Sequence, residues 1–196
     1  MRESDISASA TTDPLEQRLA ARLAALRTAR GWSLDDLAAA SGISRATLSR
    51  LERGDTSPTA TLLGKLCAAH NITMSRLIAE VEQAPTQYIA RAAQTVWTDP
   101  ETGFERRIVS GPARDFQAEL VEGTLPAGAV IDYPQPPVVG LEHHLWLISG
   151  LLDLTIDGLT HRLSPGDCLR FHLTTGNRFS CPGPLPAHYL IVLCEP

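Results

Sequence analysis

Gly42 separates two short segments, 33–41 and 44–53, whose apolar residues recur at helical spacing, and no other feature limits the fold so closely. Ser33 suits an N-cap, since its hydroxyl can accept an orphan amide of the first turn. Asp35 and Asp36 then face the positive helix end. Leu34, Leu37 and Ala38 supply one apolar stripe. Ser44 caps the second segment in the same way, and Leu48 and Leu51 form its buried face. Left facing outward on that second helix are Arg45, Ala46, Thr47, Ser49 and Arg50.

Two such helices joined at a glycine have the layout of a helix-turn-helix, whose second helix enters the DNA major groove. Arginine forks onto guanine O6 and N7, while short hydroxyl and methyl side chains let a helix come close to bases and phosphates. Further helices flank the pair. Leu15, Leu19, Leu23 and Leu26 mark one over 15–30, and Leu62, Leu63, Leu66 and Cys67 mark another over 59–70, after a turn at Thr56-Ser57-Pro58. Leu77, Ile78 and Val81 fit a last helix, capped by Thr73. None of these helices can bury its stripe alone; five together make one small core.

Residues 15–82 resemble the phage-repressor-like (Xre-type) helix-turn-helix family. The matching elements are Leu37-Ala38, Ser41-Gly42-Ile43-Ser44, Leu48-Ser49-Arg50-Leu51-Glu52-Arg53-Gly54, Pro58-Thr59 and Leu66. The resemblance implies a five-helix, lambda-repressor-like domain that binds double-stranded DNA. It puts Arg45, Ala46 and Arg50 at base-facing positions and Ser33, Ser44, Thr47 and Thr59 near the phosphates. The chain departs from the family pattern at Leu34, where a glutamine that touches DNA often stands.

Charge narrows how such a domain would bind. The 196 residues include 17 basic and 22 acidic side chains, a net charge of −5. Ten of each sign fall within 1–83, so the rest of the chain carries the whole imbalance. A neutral reader argues against indiscriminate coating of nucleic acid, which rests on bulk positive charge. It suits local contact by a few arginines, doubled by homodimerisation on an inverted-repeat operator. Residues 1–13 read as a flexible polar arm without the apolar core of a signal peptide, and no run of about 18 apolar residues occurs. The expectation is a cytoplasmic protein with no membrane partner. Cys67, Cys168, Cys181 and Cys194 show no paired spacing and read as buried thiols.

After Glu82 the periodicity changes. Gln83-Ala84-Pro85-Thr86 opens a linker over 83–95, and proline and glycine then punctuate the chain every few residues. Ten short strands are expected: 96–97, 104–110, 117–125, 129–133, 145–149, 151–156, 159–163, 168–171, 178–180 and 189–193. Asp157-Gly158 between two alternating runs is a strong hairpin signal. So many short strands in about 100 residues predict a closed sandwich or jelly roll.

Leu145 to Leu154, followed by Leu163-Ser164-Pro165-Gly166-Asp167-Cys168, resembles the cupin family: a strand ending in glycine, a hairpin, then Pro-Gly-Asp opening the next strand. Cupin metal sites use two histidines one residue apart, a glutamate on the next strand and a third histidine after Pro-Gly-Asp. Carried over by spacing, these fall on Pro136, Val138, His143 and Asn177, of which His143 alone is a competent ligand. No metal, cofactor or catalytic residue is therefore expected. His143 and His144 are adjacent and should face opposite sides of their strand. Tyr133, His143, Trp146, Arg170, His172, Asn177 and Tyr189 are candidates for contact with a small-molecule effector.

The expected architecture is multidomain, α plus all-β. After the arm come a helix-turn-helix domain over 14–82, the linker, and a cupin (jelly-roll β-barrel) domain over 96–196. The expected function is a dimeric transcriptional regulator with a sensor barrel. The alternative is a cupin-type metal-dependent enzyme, a dioxygenase or isomerase, fused to a DNA-binding module.

Overall fold

The computed structural model describes residues 14–78, 87–113 and 116–195. The expected N-terminal arm, Val81 and linker residues 83–86 lie outside the described residues.

Five helices come first: α1 (Pro14–Ala29), α2 (Leu34–Ser41), α3 (Arg45–Arg53), α4 (Ala60–His70) and α5 (Met74–Ile78). Their ends are set by the capping chemistry that the sequence advertises. Ser33 accepts from the Asp36 amide while Asp36 accepts from the Ser33 amide, a reciprocal capping box. Ser44 accepts from the Thr47 amide and Thr59 from the Leu62 amide. Thr73 Oγ1 accepts from the Arg76 amide at 3.1 Å. Gly42 closes α2 in the left-handed conformation (φ 66°), which glycine adopts without strain, and so aims α3 across α2. Leu19 and Leu23 of α1, Leu37, Leu48, Leu51, Leu63 and Leu66 are all buried together. Arg27 ties this cluster shut from the side. Its Nε and Nη2 donate to the Glu52 carboxylate at 2.7 and 2.8 Å, and Nη1 donates to the Trp32 carbonyl at 2.8 Å. One guanidinium thus joins α1, the α1–α2 turn and α3.

A 3₁₀ turn at Arg91–Ala93 leads into ten antiparallel strands. They are β1 (Val96–Thr98), β2 (Glu105–Ser110), β3 (Ala118–Leu125), β4 (Val130–Tyr133), β5 (Leu141–Ser149), β6 (Leu152–Ile156), β7 (Leu159–Leu163), β8 (Cys168–Leu173), β9 (Asn177–Ser180) and β10 (Ala187–Cys194). One sheet has the order β1-β2-β3-β10-β5-β8 and the other β4-β9-β6-β7. The two sheets face each other as a jelly roll. The β6–β7 hairpin turns at Asp157 (φ 51°) and Gly158 (φ 76°), two successive positive φ angles, as its Asp-Gly pair requires.

All ten expected strands form; nine keep their expected bounds to within two residues, β8 running on to Leu173 and β10 spanning Ala187–Cys194, and β5 departs further. β5 begins at Leu141 rather than at 145, because Glu142 and His144 on its outer face conceal the alternation with inward Leu141 and His143. The four thiols also divide: Cys67 and Cys181 are buried, whereas Cys168 is exposed and Cys194 half-exposed, since Cys168 opens β8 pointing outward.

The helices and the barrel are packed together. α4 lies on β4 so closely that a Cβ on Gly64 would sit 2.6 Å from Cδ1 of Tyr133. Thr61 Oγ1 donates to the Asp132 carbonyl at 3.0 Å, and Asp99 Oδ1 accepts from the amide of Ala60 at 3.4 Å. Thr73 Oγ1 donates to Glu119 Oε1 at 3.0 Å, and Arg106 Nη2 to Ser75 Oγ at 3.3 Å.

Glu52→Ala should strand the Arg27 guanidinium among α1, α3 and the turn. The expected loss is about 1–2 kcal/mol, in the range for hydrogen bonds to a charged group and reduced for partial exposure. Urea unfolding of the two proteins measures it.

Candidate nucleic-acid interface and barrel cavity

α3 buries Leu48 and Leu51 and turns Arg45, Ala46 and Arg50 outward. Arg45 Nε lies 3.3 Å from Asp35 Oδ1, with both side chains mostly exposed. Such a pair is screened by water and exchanges easily for a phosphate or base edge. Arg53 lies 2.7 Å from Asp55 and also donates to the Ser49 hydroxyl, so Ser49 is already engaged. Arg50 differs from both neighbours. Among the described residues no carboxylate lies within 4 Å of its guanidinium, which leaves the fork open toward solvent. The Ser33, Ser44 and Thr59 hydroxyls each occupy an N-cap, and Thr47 Oγ1 bonds to Ser44 Oγ at 2.8 Å. These hydroxyls hold helix N-termini whose remaining amides suit an anionic backbone.

Inside the barrel, strand register sets side chains in lateral rows. Glu119 (β3), Leu193 (β10), His143 (β5) and Phe171 (β8) form one inward row. Arg106 (β2), Gly123 (β3) and Tyr189 (β10) form another. Gly123 is required there, because any Cβ would run into the Tyr189 ring. Between the rows and α4 lies a cavity of about 60 Å³, lined from the helical side by Gly64, Cys67, Thr73 and Met74.

Of the seven barrel candidates, the structure brings four to this cavity: Tyr133, His143, Asn177 and Tyr189. The other three are placed elsewhere. Trp146, 49% exposed, together with Arg170 and His172, sits on the outer face of the six-stranded sheet, since residues at even positions of β5 and β8 point away from the core. His172 there lies 3.6 Å from Glu142, whose carboxylate also holds His144 at 2.6 Å. His143 and His144 do face opposite sides.

His143 is buried and stacks on Phe171, with ring centroids 4.9 Å apart. Its Nδ1 lies 3.2 Å from the Leu141 carbonyl, which can only accept, so Nδ1 carries the proton and Nε2 is left as an acceptor. Burial lowers its pKa to about 4, so the ring is neutral at neutral pH. Burial likewise pushes the Cys67 thiol up to about 12 and raises both the Tyr133 and Tyr189 phenols, leaving all three uncharged. Two lining atoms are buried without a hydrogen-bond partner in the protein: Arg106 Nε and Asn177 Oδ1.

The cavity does not fit the metal of the cupin pattern. Pro136 and Val138 carry no donor, the Asn177 amide is a weak ligand, and His143 stands as a lone imidazole against a phenyl ring. Among the described residues no group of three or more histidines, cysteines or carboxylates is arranged to hold an ion.

Arg106 and the helical wall were missed in the sequence. Arg106 was legible in principle, because β2 alternates and Ile108 is inward. The α4 and α5 contributions were not, since nothing local says which helix covers a barrel.

A helical reader of this form set on a jelly roll defines a two-part DNA-binding protein, and comparison with known proteins agrees. Residues 23–77 match the helix-turn-helix model HTH_3. The chain is 30% identical over 181 residues to the HTH-type transcriptional regulator SutR of Escherichia coli, spanning 89% of this chain and 93% of that one. It therefore belongs to the helix-turn-helix transcriptional regulators. The crystal structure of an HTH_3 family transcriptional regulator from Vibrio cholerae superimposes with a TM-score of 0.76 at 23% identity, over 93% of this chain and 97% of that one. That likeness shows that the whole two-part fold is shared. A cupin domain of an XRE family regulator from Enterobacter cloacae matches 47% of this chain and 97% of its own, at 20% identity and a TM-score of 0.45. Among the described residues no helix is long and apolar enough to cross a membrane.

His143 makes the fold sensitive to acid. Its folded-state pKa lies below the unfolded value of 6.5, so the unfolded chain binds more protons between the two. Stability is fully present above about pH 6.5 and falls as pH drops toward 4, by up to about 3 kcal/mol from this group. His143→Leu should remove that part of the slope, which denaturation at a series of pH values would reveal.

Proposed function

We propose that this protein is a homodimeric transcriptional regulator that reads an inverted-repeat operator through α3 and senses a small molecule in its barrel. The observation that carries the DNA half is Arg50, exposed on α3 and without a carboxylate partner among the described residues. An arginine on a recognition helix that is not neutralised from within is free to fork onto a guanine. Arg45 and Ala46 beside it, with Thr47 and Ser49, complete the short face that would enter the groove. The Ser33, Ser44 and Thr59 caps would set the backbone contacts.

The dimer is supported by charge. A reader with as many acidic as basic residues gains little from general phosphate attraction, so two copies on a two-fold axis are needed for tight binding. The sensing role is supported by the cavity, which combines apolar walls with a few polar atoms lacking partners, as ligand pockets do. Because α4 and α5 form part of its wall, a ligand that prefers one placement of the reader would shift operator affinity. The enzyme alternative is less well supported, since the donor set does not suit the cupin metal and the relatives are regulators. The place of action is the cytoplasm, where the DNA is.

Arg50→Ala should weaken operator binding by about 1–3 kcal/mol and relax base preference at one position of each half-site. Ser33→Ala should weaken binding to all sequences alike. Footprinting and selection from randomised duplexes test both, and an unchanged preference for Arg50→Ala contradicts the assignment.

Protected half-sites should be inverted and about one helical turn apart, or a multiple of it. Sedimentation of the protein–DNA complex should give two chains per operator. A single chain bound to one half-site with full affinity would refute the dimer.

A further inference from the structure

From the polar groups of the cavity we infer that the effector is a small carboxylate, held by Arg106 and touching the reader helices directly. This rests on the sensing reading above and gives it a ligand class. Arg106 is the one charged side chain among the lining residues, since His143 is neutral and the tyrosines and Cys67 keep their protons. Its Nη2 reaches Ser75 at 3.3 Å, a long contact, while Nε is buried with no partner. A buried donor on a cation left unpaired is costly, and a carboxylate that bridges Nε and a terminal nitrogen is the group that matches that edge in shape and charge.

Glu119 does not already fill this role. Its carboxylate is buried, takes the Thr73 hydroxyl, and lies beyond 4 Å of the Arg106 guanidinium. Burial raises its pKa, opposed by the Ser75 and Thr73 hydroxyls and by the charge of Arg106, so the two groups attract at a distance while Arg106 Nε keeps no hydrogen-bond partner. A single positive charge suits a monoanion better than a phosphate dianion. The remaining wall is apolar, from Met74, Ile131, Leu141 and Phe171, and a volume of about 60 Å³ admits only a short body. The same cavity meets Gly64 and Cys67 of α4 and Thr73, the cap of α5. A carboxylate on Arg106 therefore sits against the start of α5, and its body against α4.

The test titrates the full chain by calorimetry with the straight-chain carboxylates from acetate to hexanoate, each paired with its primary amide, at constant ionic strength. At least one carboxylate should bind ten-fold or more tightly than its amide. Arg106→Gln should erase that preference and Arg106→Lys should keep part of it, with thermal melting to verify that both fold. Hydrogen exchange over 60–78 should slow on binding, and operator affinity should change. Equal binding of acid and amide, full carboxylate affinity in Arg106→Gln, or binding with no protection over 60–78 would each overturn the inference. If an amide binds and shifts operator affinity while no acid does, sensing stands and the carboxylate falls. If no probe binds, the carboxylate is likewise refuted; if operator affinity also stays unmoved by extracts of small metabolites, the sensing reading falls with it.

Discussion

The close approach of α4 to β4 is the constraint on which the two-part structure turns. Because residue 64 has no side chain, the Tyr133 ring can come close against the helix backbone, and the apolar faces of reader and barrel become continuous. A methyl group at that position would have to displace a ring that is itself packed edge-on against Phe179. The polar contacts around the seam then follow. Thr61 meets the Asp132 carbonyl, Asp99 meets the start of α4, and Thr73 and Ser75 meet Glu119 and Arg106. Each is a polar group that would cost free energy if buried without its partner, so the seam has little freedom to slide.

That arrangement matters for the proposed regulation, in which recognition and sensing lie on different elements. The proposed reading face is α3, held to α1 by Arg27 and Glu52 on one side and aimed by Gly42 on the other. The proposed sensing wall is α4 and α5. Both belong to one small helical core, in which Leu48 and Leu51 share neighbours with Leu63 and Leu66. A close-packed core transmits displacement rather than absorbing it. The proposed coupling therefore requires no separate relay: a ligand that pushes on α4 or α5 acts on the body that carries α3.

The barrel keeps the jelly-roll frame without a donor set that fits the cupin metal. The positions that the cupin pattern reserves for nitrogen and carboxylate donors are held here by Pro136, Val138, His143 and Asn177. The polar groups that remain are spread around the cavity rather than converging on one point. Neutral His143, two protonated phenols and a single guanidinium form a site suited to hydrogen bonding and charge pairing. It offers little for holding an ion.

Much of this was determined by the sequence itself, wherever the deciding physics is local. Ser33, Ser44, Thr59 and Thr73 cap helices because a hydroxyl reaches an amide two or three residues on, and Gly42 ends α2 because its neighbours in the chain require a left-handed residue. Asp157-Gly158 makes a hairpin for the same kind of reason, and period-two alternation marked the ten strands. The start of β5 escaped because Glu142 and the two histidines mask that alternation. Only the tertiary structure decided which candidates share the cavity. It set Trp146, Arg170 and His172 outside, brought in Arg106, and placed Gly64, Cys67 and Thr73 against barrel residues remote in the chain, Thr73 meeting Glu119 across 46 residues. Those outcomes depend on strand register across two sheets and on which helix covers the barrel mouth. Both are settled by the burial of surfaces remote in sequence, for which no short stretch of residues carries a signature.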